Sequence, residues 1–166
     1  MPNYRRMYVP GGTYFFTVVT YQRQPLFADR RVRDALHRTV EIVGKRHPFD
    51  TLAWVLMPDH LHCIWTLPKR DADYSTRWRL IKRGVTQKVR VIHPSPLWQP
   101  RFWEHTVRDE TDLFQHIHYI HFNPVKHGYV EEAEAWHFSS YQRFLEESTV
   151  YTNRPLPRDI DLEGVE

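Results

Sequence analysis

Hydrophobic residues in the first third of the chain follow two different periods. Residues 12–22, GTYFFTVVTYQ, are β-branched and aromatic and follow a Pro-Gly-Gly turn, which predicts a β-strand. Asp29 is a residue type suited to capping a helix, and Pro48 disfavours the continuation of one. Between them, apolar residues recur on one helical face: Val32, Leu36, Val40 and Val43. The sequence therefore predicts a strand followed by an amphipathic helix.

A hairpin and a second helix are predicted next. Two apolar runs, residues 50–57 and 60–67, flank Pro58 and Asp59, a pair typical of turns, and so predict a β-hairpin. Ser75 is then suited to cap a helix. The apolar stripe of this second helix consists of four residues: Trp78, Ile81, Val85 and Val89.

The remaining pattern completes the predicted fold. The sequence HPSP at residues 93–96 ends the second helix, and residues 101–108 favour a further strand. Asp109 then begins a last helix, which Asn123 and Pro124 are expected to close. The order β-α-β-β-α-β-α predicts an α+β fold, with a central, mainly antiparallel sheet and helices packed on it.

Length and charge divide the chain into a body and a tail. The 166 residues are enough for one domain, which we place at residues 1–145. Residues 146–166 are acidic and contain proline, so we expect an extended or mobile tail. The net charge of +3 is therefore carried by a basic body, which is compatible with a polyanionic partner.

The chain lacks the sequence features of secreted and membrane proteins. The first residues, MPNYRRMYVPGG, contain no apolar core of a signal peptide, and no apolar run is long enough to span a bilayer. A single cysteine, Cys63, excludes an internal disulfide and fits a reducing compartment. We therefore predict a cytoplasmic protein that has no membrane partner.

Two histidines begin the second strand of the predicted hairpin. His60 and His62 are two residues apart, so their side chains lie on the same face of a strand. Two imidazoles placed in this way can bind one metal ion. Leu61, Cys63 and Trp65 then point to the other face and pack in the core. The chain has 11 histidines, so this spacing also arises by chance, and ordinary strand residues remain an alternative.

The last predicted helix has an apolar side and a polar stripe beside it. Its apolar side consists of Leu113, Ile117 and Ile120. The polar stripe has helical spacing and consists of Asp112, His116, Tyr119 and Asn123. Tyr119 offers a nucleophilic oxygen, and Asn123, one turn later, offers a carbonyl oxygen to a cation. Packing at the border of the core is the alternative role for this tyrosine.

Other histidines near this helix have simpler interpretations. His116 and His118 are two residues apart, and on a helix such residues do not face each other. Together with His121 they are compatible with a solvated helix face. His105 is another candidate for an active-site group, but packing is the role that we favour for it. These residues do not by themselves predict a site.

Six blocks of the sequence, taken together and in this order, resemble one family. They are YVPGGTYFFTVV, WVLMPDHLHCIWTLP, RLIKRGVT, WQPRFWEHTVRDETD, YIHFNPVKHGYV and WHFSSY, and the resemblance extends over roughly residues 3 to 145. The combination resembles the REP-associated tyrosine transposases, which belong to the HUH endonucleases. The resemblance implies a central antiparallel sheet with a ferredoxin-like βαβ arrangement.

The resemblance also implies an activity and its residues. His60 and His62 correspond to the metal-binding HUH motif, Tyr119 to the nucleophile, and Asn123 to a third polar ligand. Members of the family cut and rejoin single-stranded DNA at repetitive extragenic palindromes, which fold as hairpins. Attack by the tyrosine gives a covalent 5′-phosphotyrosine, and we expect Mg²⁺ or Mn²⁺ as the cofactor.

Basic and aromatic residues are the candidates for DNA contacts. We expect the DNA-binding residues to be Arg5, Arg6, Arg77, Lys82, Arg83, Arg101, Trp103, Arg108 and Lys126. Such a protein would associate with the nucleoid when bound to DNA, as a monomer or a homodimer. Two other functions stay open: a histidine-metal hydrolase that uses water, and a protein that binds hairpin DNA without cleaving it.

Overall fold

The structure is a computed structural model that describes residues 5–147 of the chain. It has four strands and four α-helices in chain order. They are β1 (Thr13–Val19), α1 (Arg30–Arg46), β2 (Asp50–Leu56), β3 (His60–Thr66), α2 (Tyr74–Val89), β4 (Trp103–Thr106), α3 (Glu110–Lys126) and α4 (Tyr141–Glu147). The predicted order of elements is confirmed, with α4 as an addition.

The four strands form one sheet in the order β2-β3-β1-β4, and all three pairs of neighbours are antiparallel. The predicted α+β fold with an antiparallel sheet is therefore confirmed. Strands β2 and β3 form the expected hairpin, and β3 lies in the interior of the sheet beside β1. In this register Thr17 is opposite His62, and Val19 is opposite His60.

Helices α1 and α2 cover one face of the sheet. Alternate residues of β1 and β3 reach this face, and they include Leu61, Cys63 and Trp65, as predicted. The predicted apolar stripes of both helices pack here: Val32, Leu36, Val40, Val43, Trp78, Ile81, Val85 and Val89. Burial of apolar surface on this face stabilises the larger of the two cores.

Helix α3 covers the opposite face. Its residues Ile117 and Ile120 pack with Phe15 of β1 and Ile64 of β3 in a second, smaller core. Because side chains alternate along a strand, His60 and His62 reach this same face. The sheet thus brings the two histidines under α3, the helix that carries the polar stripe.

The start of α2 differs from the prediction. Asp73, rather than Ser75, caps the helix, because its carboxylate accepts a hydrogen bond from the backbone N–H of Thr76 at 2.9 Å. Ser75 lies inside the first turn, where its hydroxyl is 3.0 Å from that of Tyr8. Both residue types favour the capping position, so sequence alone did not separate them.

The end of α3 also differs from the prediction. Asn123 and Pro124 do not close the helix, which continues to Lys126. A proline lacks an N–H donor, but its fixed φ is compatible with a helix, so the chain completes the turn in which it lies. The N–H of His127 then donates to the carbonyl of Asn123 at 3.0 Å, and the helix ends.

The predicted boundary at residue 145 falls inside α4, and residues 148–166 of the predicted tail lie outside the described part.

Residues 138–140 run along the outer edge of β2, where the N–H of Leu56 donates to the carbonyl of Phe138 at 2.8 Å. In the described range 5–147, no helix is both long and apolar enough to cross a bilayer.

Candidate active site between β3 and α3

The two histidines of β3 form the centre of the candidate site. The ring centroids of His60 and His62 are 4.8 Å apart, and both side chains are buried under α3. Their shared face follows from the two-residue repeat of a strand. The structure therefore brings this pair together as the spacing predicted.

Each imidazole uses its Nδ1 in a hydrogen bond to a neighbouring side chain. Nδ1 of His60 donates to the carboxylate of Asp59 at 2.6 Å, and Nδ1 of His62 lies 2.8 Å from the hydroxyl of Thr17. These bonds leave the Nε2 atoms for another partner. Nε2 of His62 is buried and has no hydrogen-bond partner among residues 5–147.

The environment keeps His62 neutral. Burial lowers its pKa well below the usual value, and electrostatic repulsion from the basic side chains nearby lowers the pKa further. These side chains are His60, His127, Lys126 and Arg23. A neutral imidazole has a lone pair on one nitrogen, which is the form that binds a metal ion. The site therefore holds a ready ligand nitrogen in a place where a proton is disfavoured.

Tyr119 of α3 lies against the histidine pair. Its ring centroid is 5.2 Å from that of His62, with the two rings nearly perpendicular. Nζ of Lys126 is 5.2 Å from the centre of the same tyrosine ring. Only 7% of the tyrosine surface is exposed, because the polar stripe of α3 faces the sheet instead of solvent. All four stripe residues are buried: Asp112, His116, Tyr119 and Asn123.

Asn123 is fully buried one turn after Tyr119, and the described residues offer no hydrogen-bond partner to either Oδ1 or Nδ2. An unsatisfied buried amide is costly, so such a group points to a partner that binds there. Two imidazole nitrogens and an amide oxygen suit a divalent cation. The residues present thus fit the metal ion that the sequence resemblance implies.

Sequence reasoning missed the role of Asp59 at the edge of this site. Asp59 was interpreted only as a turn residue. Its carboxylate accepts a hydrogen bond from His60, and its second oxygen is 3.2 Å from Nη1 of Arg23. The signal available in the sequence was the position of Asp59 directly before His60. His127, at the end of α3, has its ring centroid 5.5 Å from that of His60.

A second cluster lies on the same side of the sheet. It consists of His105 of β4 with Asp112 and His116 of α3, whose potential ligand atoms all lie within 4.8 Å of one another. His116 is buried, so its interpretation as part of a solvated face is wrong, as it is for the buried His121. His121 instead lies 2.9 Å from the hydroxyl of Ser140.

The atoms of this second cluster are committed to one another. Nε2 of His105 donates to Oδ2 of Asp112 at 2.8 Å, and Nδ1 of His116 donates to the backbone carbonyl of Asp112 at 2.8 Å. Asp112 also accepts from the backbone N–H of Arg108 at 2.9 Å. These bonds fasten the first turn of α3 to β4.

The predicted DNA-binding residues occupy different environments. Five of them are exposed: Arg5, Arg83, Arg101, Arg108 and Lys126. Arg6, Lys82 and Trp103 are half-buried: the guanidinium of Arg6 stacks on Phe102 at 3.8 Å, and Nζ of Lys82 donates to the carbonyl of Gln99 at 3.0 Å. Burial lowers the pKa of Lys82 to about 8.

Arg77 is not available to DNA, which corrects the prediction. Its side chain is 1% exposed, and its guanidinium pairs with the carboxylate of Asp71 at 2.7 Å. It also donates to the backbone carbonyls of His47, Pro48 and Asp73. A buried charge requires such partners, so Arg77 ties the start of α2 to the loop that follows α1.

Known proteins are similar to this chain in sequence and in fold. Residues 8–123 match the family model described as "Transposase IS200 like". A REP-associated tyrosine transposase of Escherichia coli strain K12 is 43% identical over 143 residues, which cover 86% of this chain and 84% of that protein. A Haemophilus influenzae protein assigned to the same group is 38% identical over 157 residues, covering 86% and 87% of the two chains.

A solved structure agrees with the sequence comparisons. It is described as a REP-associated tyrosine transposase bound to a REP hairpin, and it is 40% identical to this chain. The two superpose with a TM-score of 0.82, over 97% of this chain and 93% of the other. This chain therefore belongs to the REP-associated tyrosine transposases within the IS200-like family, enzymes that cleave and rejoin DNA.

Proposed function

We propose that this protein cleaves and rejoins single-stranded DNA at hairpins formed by repetitive extragenic palindromes, with Tyr119 as the nucleophile. The observation that carries the proposal is the packing of Tyr119 against His62, with ring centroids 5.2 Å apart. Nε2 of His62 and the side-chain amide of Asn123, beside it, have no hydrogen-bond partner among residues 5–147. The REP hairpin bound to the 40% identical relative supports the class of substrate.

The metal ligands in this proposal are His60, His62 and Asn123, and the ion is Mg²⁺ or Mn²⁺. Such an ion supplies positive charge that polarises a non-bridging oxygen of the scissile phosphate. The chain supplies two imidazoles fixed by their Nδ1 bonds to Asp59 and Thr17. The absence of any partner for Asn123 within residues 5–147 supports its role as the third ligand.

Tyr119 performs the covalent step. Its hydroxyl oxygen attacks the phosphorus, a new oxygen–phosphorus bond forms, and the bond from phosphorus to the 3′-oxygen breaks. The phenolic proton is lost, and the departing strand takes up a proton to become a free 3′-hydroxyl. Because the phosphotyrosine is itself a phosphodiester, a 3′-hydroxyl can reverse the step and rejoin DNA without a nucleotide cofactor.

The proposed DNA contacts are exposed basic residues. Lys126 is best placed, since its ammonium group already lies beside the ring of Tyr119. The others are the exposed Arg5, Arg83, Arg101 and Arg108 and the half-buried Arg6, Lys82 and Trp103. Neutralising phosphates with these groups makes binding depend strongly on salt.

End-labelled DNA tests the proposal. The protein is incubated with a hairpin oligonucleotide and Mn²⁺, then denatured and separated on a gel. A 5′-phosphotyrosine transfers a 3′-end label to the protein, whereas a 5′-end label appears on a shortened free strand. Tyr119→Phe abolishes the adduct and keeps DNA binding, and Tyr129→Phe, at an exposed tyrosine after α3, behaves as the wild type.

The same gel separates the competing functions. Cleavage that transfers neither label to the protein identifies a hydrolase that uses water. A mobility shift without cleavage identifies a protein that only binds hairpins. An adduct that persists in Tyr119→Phe assigns the nucleophile to another residue.

A further inference from the structure

A strained turn lies directly beside the candidate active site. Gln22 and Arg23, in the turn after β1, have φ values of 51° and 52°. Neither is a glycine, and two consecutive residues of this kind in the left-handed region are unfavourable unless the surrounding structure holds them there. Such strain is often retained where a side chain must be placed for function.

The surrounding structure holds this turn against the hairpin that carries His60. The backbone N–H and the hydroxyl of Thr20 both donate to the carbonyl of Asp59, at 2.9 Å each. The same hydroxyl is 2.7 Å from the carbonyl of Gln24, and the N–H of Phe27 donates to the carbonyl of Pro58. The turn therefore cannot move independently of Asp59.

This arrangement gives Asp59 two partners. One carboxylate oxygen accepts from Nδ1 of His60 at 2.6 Å, and the other is 3.2 Å from NH1 of Arg23. Arg23 is 47% exposed, so it restrains the carboxylate from the solvent side.

The second histidine has no comparable support. Nδ1 of His62 meets the neutral hydroxyl of Thr17, which can act as donor or acceptor. A carboxylate only accepts, so it fixes the proton of His60 on Nδ1 and makes Nε2 the ligand nitrogen. A charged acceptor also makes the imidazole a stronger metal ligand than a hydroxyl does.

We infer that Asp59 is a positioning residue that fixes the tautomer and ring orientation of His60 for metal binding, and that Arg23 holds Asp59 in place through the strained turn. The inference rests on the proposed function, because it assigns these residues a role toward the ion that His60 binds. Neither residue touches the DNA phosphate in this role.

Mn²⁺ binding without DNA tests the inference, by electron paramagnetic resonance or calorimetry on the full chain. Loss of a side chain that supports a metal ligand typically costs about 10- to 100-fold in affinity. We expect Asp59→Asn to lose about 10-fold, and Thr17→Val to lose less, about 3-fold or below. Arg23→Gln also lowers the Mn²⁺ affinity, but less than Asp59→Asn does. Arg23→Lys, which keeps the positive charge, lowers the affinity less than Arg23→Gln.

Arg31→Gln is the matched control, because Arg31 pairs with Asp29 at 2.7 Å in the same way but at the start of α1. Wild-type affinity in Asp59→Asn overturns the inference. So does an Arg23→Gln protein that binds Mn²⁺ normally and hairpin DNA weakly, since Arg23 is then a DNA contact. If the wild type itself binds no Mn²⁺, the proposed function fails first. Circular dichroism verifies folding, and Arg23 is exposed enough for its variants to test the inference if Asp59→Asn unfolds.

Discussion

Two histidine clusters lie side by side under α3, and they differ in whether their polar atoms have partners. His62 and His116 both contact the ring of Phe15, with centroid distances of 5.4 and 4.8 Å. In the first cluster, Nε2 of His62 and both polar atoms of Asn123 are buried without hydrogen-bond partners in the described chain. In the second, Asp112 accepts hydrogen bonds from both histidines and from Arg108.

The difference shows why closeness of ligand atoms is a poor guide to a metal site. The second cluster has the two histidines and one carboxylate of a good metal site, yet its hydrogen bonds already stabilise it. The first cluster contains buried polar groups that have no hydrogen-bond partner in the described protein to offset their desolvation. Buried polar atoms without hydrogen-bond partners, rather than closely spaced ligand atoms, indicate where a ligand binds.

Replacing one histidine in each cluster by alanine gives the largest expected difference in Mn²⁺ affinity. His62→Ala lowers Mn²⁺ affinity by more than about 100-fold, because even indirect support of a ligand is worth about 10- to 100-fold. His116→Ala leaves the affinity unchanged and lowers the free energy of unfolding by about 1–3 kcal/mol, since it removes buried hydrogen bonds. Calorimetry and chemical denaturation measure the two quantities.

We also expect one Mn²⁺ per chain in the wild type, and the His116→Ala protein to keep it. A second ion that disappears only in His116→Ala would show that the second cluster binds metal and would remove the distinction between the two.

Replacing Asn123 sharpens the comparison, because Mn²⁺ affinity and the stability of the metal-free protein are expected to change in opposite directions. Asn123→Leu lowers Mn²⁺ affinity by about 10-fold, through loss of one oxygen ligand. In the metal-free protein the same change removes two buried polar atoms that lack described partners, so the free energy of unfolding rises by about 1 kcal/mol. Thermal denaturation with and without Mn²⁺ measures both effects.

The matched control for Asn123→Leu is Asp112→Asn, which removes the charge of a satisfied carboxylate. It destabilises the protein in both conditions and does not change metal affinity. If Asn123→Leu destabilised the metal-free protein as strongly as Asp112→Asn does, Asn123 would be a structural residue.

Sequence patterns predicted most of the fold for a definite physical reason. The apolar stripes of α1 and α2 and the alternation of side chains in β3 are local patterns. In each of these elements the apolar face packs in the core, as its period predicted. Errors occurred where two residue types suited one position, as with Asp73 and Ser75, or where a tertiary contact overrode a local rule, as with Arg77. The direction in which the polar stripe of α3 faces is also a tertiary property.

The candidate site was predicted only in part for the same reason. The spacing of His60 and His62 in a strand suggested the pair. The polar stripe of the last helix suggested Tyr119 and Asn123, and the sequence resemblance assigned their roles. The bonds that separate the two clusters depend on side chains brought together by the sheet, such as Thr17 opposite His62. No one-dimensional pattern carries that information.

The pH dependence of stability tests whether the second cluster is structural. Burial lowers the pKa of His116, an effect that its bond to the carbonyl of Asp112 only partly offsets. An unfolded histidine titrates near about 6.5, so below that pH the unfolded chain takes up a proton that the folded protein refuses. The free energy of unfolding therefore falls as the pH drops from about 6.5 toward the lower pKa of the folded state.

His116→Gln removes this contribution, so we expect its denaturation midpoint to decline less between about pH 6.5 and 5, by the equivalent of about 1 kcal/mol. His137→Gln, at an exposed histidine, keeps the wild-type slope. A slope in His116→Gln that matches the wild type would show that His116 accepts a proton in the folded state, and that its bonds are not as fixed as the structure indicates.

Arg108 gives the smallest expected effect and connects the second cluster to DNA. Its side chain is 76% exposed although Nε lies 3.3 Å from Asp112, so the pair adds little stability. We expect Arg108→Gln to change the free energy of unfolding by less than about 0.5 kcal/mol. If the guanidinium binds a phosphate, the same variant weakens hairpin binding and reduces the slope of log affinity against log salt by about 1.

Arg38→Gln is the control for this measurement, since Arg38 is exposed on α1, across the sheet from α3. A salt slope that falls in Arg108→Gln and not in Arg38→Gln places DNA over the α3 side of the sheet. The second cluster then fastens a DNA-contacting residue to the helix that carries Tyr119. An equal slope in both variants would leave Asp112 and its histidines with a purely structural role and would make the contrast between the two clusters complete.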